Sequence, residues 1–331
     1  MLSPHNFLMF FVLMMSVLIM SSSSSWFSFW LALEMNTLAF LSMISTFNKE
    51  TTESSMLYFL PQALASSLFL FSSMMFSLSA SNTTQTFSMS IVFMSMILKL
   101  GGAPLHQWFP KVAQILTLPF NSILMTIQKI PPLIILSSTS HPTIIINSAI
   151  VTSAALGSLG GLSQTNIKSI LAFSSISHLA WMLASLSFNG TFWQSYLLIY
   201  SSILVSIILV LNLKKINTIN QTFLLNLNPM TKTLIILLLL SLGGMPPLTG
   251  FLPKWMIIMN HSSNLILLTL ISSALLNLFF YLRISYSMIF SHSSSPIIQF
   301  HLTPHSLTPL FIFNITFLST LLPVLIILTN L

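Results

Sequence analysis

Apolar segments about 20 residues long follow one another almost without pause through this chain, and that rhythm restricts the solvents it can fold in. Only 4% of the 331 residues are charged, against 54% hydrophobic. A water-soluble domain carries about a quarter charged residues, so most of this surface has to face lipid. A helical crossing takes about 20 predominantly apolar residues, and measured with that length the sequence holds about eleven candidate spans. They fall at 5–21, 26–45, 57–79, 86–101, 115–138, 143–162, 168–188, 192–213, 233–250, 262–288 and 308–330. Breaks are expected at Ser21–Ser25, Thr51–Ser55, Ser81–Thr84, Asn189–Gly190, Lys214–Asn228 and His292–His305. No linker is long enough to separate soluble domains, so one all-α membrane domain over residues 1–331 is expected. Met1–Met20 lacks the basic start of a secretory leader or the Arg-rich stretch of a transit peptide. It is read as the first span, and a chain of this kind in an organelle is expected to be made there.

The net charge of +7 comes from ten basic and three acidic residues. The basic residues lie singly, apart from the adjacent pair Lys214–Lys215, so the clustered footprint that nucleic-acid binding needs is missing. The sequence has no cysteine, which removes disulfides, thiolate zinc sites, cysteine-held iron–sulfur clusters and thiol nucleophiles. It has no aspartate either, no His pair flanking a carboxylate at helical spacing and no Gly-rich phosphate loop. No cofactor or metal is expected on this chain. Serine and threonine are abundant inside the spans, where they can bond back to the helix and let helices approach closely.

An internal echo organises the spans. Leu100-Gly101-Gly102-Ala103-Pro104 is matched by Leu242-Gly243-Gly244-Met245-Pro246. An aromatic-to-Pro-Lys group follows each copy, Trp108-Phe109-Pro110-Lys111 in one and Phe251-Leu252-Pro253-Lys254 in the other. Glycine pairs and proline weaken a helix, so each copy is expected to break one. Broken backbone at membrane depth survives only under protein or beside a wet cavity. The copies fall in the fourth and ninth spans, an odd separation that makes them enter from opposite sides. Two inverted five-helix repeats, 5–138 and 143–288, with a C-terminal helix at 308–330, are the expected architecture, one that transporters use.

Charges inside the spans are the candidate working parts. Glu34 lies mid-span, where an ionised carboxylate costs roughly 2.5–3.5 kcal/mol and needs a partner or water. It is either half of a structural ion pair or a functional acid. Lys99 directly precedes the first break. Lys129 lies beside Gln128 and Pro131–Pro132, and Lys254 follows the second break. Lys129 and Lys254 can instead snorkel to the interface, a reading stronger for Lys254. Burial disfavours an ammonium, so a lysine held inside can load and release a proton as a neighbouring charge comes and goes. His178, in Ser174-Ser-Ile-Ser-His178, is either a satisfied core residue or a further relay group. Arg283 is embedded in the tenth span and is expected to pair internally or reach the headgroups. Lys168 is read as an anchor at the membrane edge. Lys49, Glu50 and Glu53 are read as a solvated loop. Lys111, Lys214, Lys215 and Lys232, with His5, His141, His261, His292, His301 and His305, are read as surface or interface residues.

Taken in order, several blocks carry a resemblance. They are Trp30-Leu-Ala-Leu-Glu-Met-Asn36, Thr52–Leu60, Lys99–His106, Gln128-Lys129, Gly161–Asn166, Ser174–His178, Leu242–Trp255 and Tyr281-Leu-Arg283. Together they resemble NADH dehydrogenase subunit 2, an antiporter-like membrane-subunit family of mitochondrial respiratory complex I. The resemblance implies a core membrane subunit of an inner-membrane enzyme that couples electron transfer from NADH to ubiquinone with proton translocation. Its partners would be the complex's other membrane subunits, neighbouring antiporter-like ones among them, and lipids. NADH, FMN, iron–sulfur clusters and ubiquinone would be held by other subunits. On the family pattern Glu34 is the carboxylate paired with Lys99, Lys129 a central lysine and Lys254 the residue of the second broken helix. The N-terminus would lie in the matrix. Two positions depart from the pattern. Lys111 stands where an acid is common, and Leu57 where a lysine is. A stand-alone antiporter and an inert helix scaffold remain as rival readings of the same residues.

Overall fold

The computed structural model describes residues 4–290 apart from 46–48, 79–80, 140–141, 188–191, 225–228, 247 and 261–262. The expected C-terminal span 308–330 lies outside the described residues, as do His141, His261, His292, His301 and His305. The elements are α1 (Pro4–Ser22), α2 (Trp26–Ile44), α3 (Lys49–Leu78), α4 (Asn82–Leu100), α5 (Trp108–Ile115), α6 (Leu118–Met125), a 3₁₀ turn (Ile127–Lys129), α7 (Ile130–Ser138), α8 (Thr143–Leu162), α9 (Ile167–Leu186), α10 (Phe192–Lys214), α11 (Ile219–Leu224), α12 (Pro229–Gly243), α13 (Phe251–Asn260) and α14 (Asn264–Ile289). Among the described residues the only strand-like pairing is a single bridge between Asn166 and Thr218. Helix starts follow local chemistry. The Ser25 hydroxyl accepts from Ser28 N at 3.3 Å and that of Ser81 from Thr84 N at 3.4 Å, each filling an orphan donor of the first turn.

Eight stretches are long and apolar enough to cross a membrane. The expected spans 86–101 and 233–250 are not among them: α4 has 19 residues but opens on the polar run Asn82–Thr86, and α12 stops after 15 residues at its break; each pass continues after a gap, as α5 and α13. The expected span 115–138 is built in three pieces. Thr126 Oγ1 bonds to Ser122 O at 2.6 Å, a 3₁₀ turn carries Gln128 and Lys129, and Pro131–Pro132 open α7 where prolines cost no hydrogen bond. One expected break is corrected. Thr51–Ser55 belongs to the opening turns of α3, a helix of 30 residues, so polarity there marks an exit from the apolar layer and not an end of helix.

Helix α9 is the centre of the bundle. It is buried on nearly all sides, and Ser174, Ser175, Ser177 and Ser185 each turn the hydroxyl back to a carbonyl three residues earlier. Small residues let α8 lie directly on it. A Cβ at Gly157 would come within 2.7 Å of Ser177 N and 3.0 Å of Phe173 O, both backbone atoms that cannot move aside. Gly157→Ala is therefore expected to part α8 from α9 at a cost of about 1–3 kcal/mol. A fall in the temperature at which the purified protein loses its fold would register this, and an unchanged temperature would mean the contact can yield.

Candidate functional site

Both helix breaks are the same local device. At the end of α4, Gly101 takes φ 68°, its N–H bonds to Leu98 O at 3.2 Å, and Gly102 N bonds to Ile97 O at 2.9 Å. At the end of α12, Gly244 takes φ 81°, with bonds to Ser241 O at 3.0 Å and from Met245 N to Leu240 O at 3.2 Å. These are Schellman caps, which need a left-handed residue that glycine supplies without strain. The first copy uses its first glycine and the second copy its second, a one-residue difference in register.

The remaining orphan carbonyls are satisfied differently, and this separates the two lysines of the echo. In the first break Trp108 Nε1 donates to Leu98 O at 3.1 Å and Gln62 Nε2 to Lys99 O at 3.2 Å, while Lys111 is exposed. In the second, Lys254 Nζ donates to Gly243 O at 2.8 Å and Leu242 O at 3.3 Å. An ammonium at a helix C-terminus is favoured by the helix dipole. Lys254 therefore does not snorkel. It turns inward, with Nζ 5.9 Å from the Trp181 ring centroid.

The other expected residues fall into two groups, Glu34 with Lys99, and Lys129 with His178 along α9 toward Lys254. Lys99, Lys129, His178 and Lys254 are at most 5% exposed, whereas Glu34 is half-buried. Lys99 Nζ is buried without a hydrogen-bond partner, so the Glu34–Lys99 pair stands open here, although the Glu34 charge acts on Lys99. Lys129 Nζ donates to Ser175 O at 2.8 Å and lies 5.4 and 5.7 Å from the Tyr200 and Phe109 ring centroids. His178 bonds through Nδ1 to the Tyr196 hydroxyl at 2.8 Å, and its Nε2 is buried and unpartnered. Both the Lys129 and the Lys254 charge act on it. Ser175, His178 and Trp181 repeat every three residues along one face of α9, and so present Lys129, the imidazole and Lys254 in succession.

Sequence reasoning missed the neutral polar groups around these residues. Asn36 and Gln128 pair their amides at 2.9 and 3.3 Å, and Tyr58 OH donates to Gln128 Oε1 at 3.2 Å, which ties α2 and α3 to the segment carrying Lys129. Tyr196 and Tyr200 lie around His178, with Tyr281 within electrostatic range of both. Asn277 donates to Ser177 Oγ at 2.6 Å. The signal available was scarcity: the chain has five tyrosines, and a phenol inside a span needs a partner for its hydroxyl. Arg283 and Lys168 fall outside both groups. Arg283 caps Leu162 O and Gln164 O at 2.7 and 2.6 Å, and Lys168 caps Leu116 O at 2.8 Å.

A bundle of this design, with two broken helices turned toward buried lysines, defines a membrane transporter-like protein. Residues 23–280 match the family described as NADH:quinone oxidoreductase/Mrp antiporter, transmembrane. NADH-ubiquinone oxidoreductase chain 2 of Anopheles gambiae is 42% identical over 292 residues, covering 86% of this chain and 85% of that one. The protein of the same name from Thyroptera tricolor is 35% identical over 328 residues, 94% of each. A chain of respiratory complex I from Thermus thermophilus with bound aureothin shares the fold, with a TM-score of 0.85 at 20% identity over 96% of this chain and 78% of that one. A chain of an archaeal membrane-bound sulfane sulfur reductase does so at 0.81 and 18% identity, covering 95% and 72%. The chain belongs to the NADH-ubiquinone oxidoreductase chain 2 family of antiporter-like membrane proteins.

Proposed function

We propose that protons move through this chain along the line Glu34, Lys99, Lys129, His178 and Lys254. The chain is a membrane subunit of respiratory complex I, the NADH:ubiquinone oxidoreductase of the mitochondrial inner membrane, and takes part in its proton translocation. Its partners are the other membrane subunits of that complex. The observation that carries the proton line is the face of α9 on which Ser175 holds Lys129, and His178 and Trp181 lead on to Lys254.

In this reading the chemistry of electron transfer belongs to other subunits, which hold NADH, FMN, the iron–sulfur clusters and ubiquinone. Absence of cysteine here agrees with that division. The two breaks belong to inverted repeats, 5–138 and 143–288, since matching caps five passes apart meet the membrane from opposite sides. Short connections make successive passes antiparallel, so 44–49, 116–118, 162–167 and 214–229 share one end of the bundle. Lys49, Lys111, Lys168, Lys214, Lys215, Lys232 and Arg283 all fall toward that end, which the positive-inside rule assigns to the matrix together with the N-terminus.

A conformational or charge change arriving from neighbouring subunits opens or closes the Glu34–Lys99 pair. With the pair open, the Lys99 proton is less stabilised and passes toward Lys129, then by way of His178 to Lys254. Moving one charge against the membrane potential takes about 2.3 kcal/mol per 100 mV, which the redox reaction supplies. Exchange of the two charges tests the pair. Glu34→Lys and Lys99→Glu alone each leave like charges facing at membrane depth, and each is expected to lower pumping about tenfold or more. The double variant is expected to recover much of it in membrane vesicles driven by NADH. Lack of any recovery would break the pairing.

A further inference from the structure

His178 differs from the lysines in having two ring nitrogens, and the fold treats them differently. Nδ1 is held by the Tyr196 hydroxyl at 2.8 Å, while Nε2 is buried and has no hydrogen-bond partner among the described residues. The ring lies against Tyr200, with centroids 4.9 Å apart, so its plane is fixed by packing from α10 as well as by the bond. A cavity with room for one water opens beside the pair, lined by His178, Tyr196, Tyr200, Ser241, Gly250 and Pro253. Which nitrogen of a neutral imidazole carries the proton is set by the hydrogen bond the other one makes.

We propose that Tyr196 is the positioning residue of His178: its hydroxyl oxygen accepts from Nδ1–H and so keeps the Nε2 lone pair free toward the buried interior. This rests on the reading of His178 as a relay group. The proton balance is then simple. The Lys129 ammonium gives a proton to Nε2 and becomes a neutral amine, while the ring becomes imidazolium. Nε2 passes the proton to the neutral Lys254 amine, which becomes ammonium. Nδ1–H stays bonded to Tyr196 throughout, so the ring charges and discharges at one nitrogen without turning over. The cavity offers the hydroxyl hydrogen a place to point away from the ring. With a donor on Nδ1 instead, the neutral ring would carry its proton on Nε2 and could not accept there.

Tyr196→Phe removes only the hydroxyl and leaves the ring packing. In the complete complex in sealed vesicles it is expected to assemble normally, to pump roughly tenfold less or worse, as an unpaired buried N–H implies, and to show a displaced pH profile of pumping. The charged and titratable groups facing the imidazole are Lys129, Lys254, Tyr196 and Tyr200, with Tyr281 behind them, and Tyr196→Phe leaves all but one in place. Tyr196→Gln, which restores an acceptor, is expected to regain part of the loss. In a His178→Gln background Tyr196→Phe should add nothing. If His178→Gln is impaired while Tyr196→Phe pumps normally with an unmoved pH profile, the positioning role fails and the relay reading stands. If His178→Gln itself pumps normally, the relay reading fails and takes this inference with it. An equal loss from Tyr196→Phe in both backgrounds, or no recovery with Gln, would reduce Tyr196 to a packing role.

Discussion

Lys129→Met is expected to stop proton movement through this subunit while leaving the complex assembled. The ammonium has one carbonyl acceptor, Ser175 O at 2.8 Å, and two aromatic faces, with no carboxylate within bonding distance among the described residues. Methionine fills nearly the same volume with an unbranched chain that adapts to its neighbours, so α6, α7 and α9 keep their packing. What disappears is the group proposed to hold and release the proton. A positioned proton-transfer residue is worth about 10²–10⁴-fold in its step, large enough to appear as a lower proton-to-electron ratio or slower coupled NADH oxidation. Lys129→Arg separates two roles for the same charge. Guanidinium keeps the cation and its attraction to Tyr200 and Phe109, but it does not give up its proton. If the charge only braces the helices, Arg restores function; if the proton moves, Arg fails as Met does. A normal proton-to-electron ratio in both variants would remove Lys129 from the path.

Where the sequence spoke clearly, one strong physical constraint left few alternatives. Bilayer thickness imposes a length on apolar segments, so an all-helical membrane bundle was legible from the spacing of those segments alone. Lys99, Lys129 and Lys254 stood out because a charge in lipid is costly, and each is buried in the bundle. The breaks were legible because a Gly-Gly pair before proline cannot continue a helix. Which glycine turns left-handed was not, since that depends on the last carbonyl the preceding turn offers, and it differs between Gly101 and Gly244. Thr51–Ser55 misled because polarity reports on solvent and not on helix continuity. The neutral groups were hidden for another reason. Asn36 meets Gln128 across 92 residues, and Tyr196 meets His178 from the next helix. A phenol or an amide in a span looks like any other tolerated residue until the fold brings it a partner. Lys254 carried an ambiguity, because a lysine beside a break can snorkel to the interface or turn inward, and the geometry turns it inward to cap the end of α12.

The hold on Lys254 depends on how tightly the second break is folded, and Gly250→Ala is expected to undo it. A Cβ at Gly250 would overlap the Ser241 carbonyl oxygen and lie 2.8 Å from its carbon, so the clash is with helix backbone in the last turn of α12. No side chain can rotate away to relieve it, and the cost is expected at the upper end of overpacking, about 3 kcal/mol or more. Relief parts α12 from the segment carrying Gly250 and Lys254, and so separates Leu242 O and Gly243 O from the ammonium they accept from. Gly250 also lines the cavity beside His178, so the same movement opens the space between the imidazole and the break. The expected result is a sharp fall in assembled complex and, in whatever assembles, a loss of pumping out of proportion to the loss of protein. Gly243→Ala makes the contrast, because a Cβ there meets nothing closer than 3.6 Å, and it is expected to be nearly silent. Equal assembly and pumping in the two variants would mean that the break yields easily, and a break that yields cannot be what holds Lys254 in line.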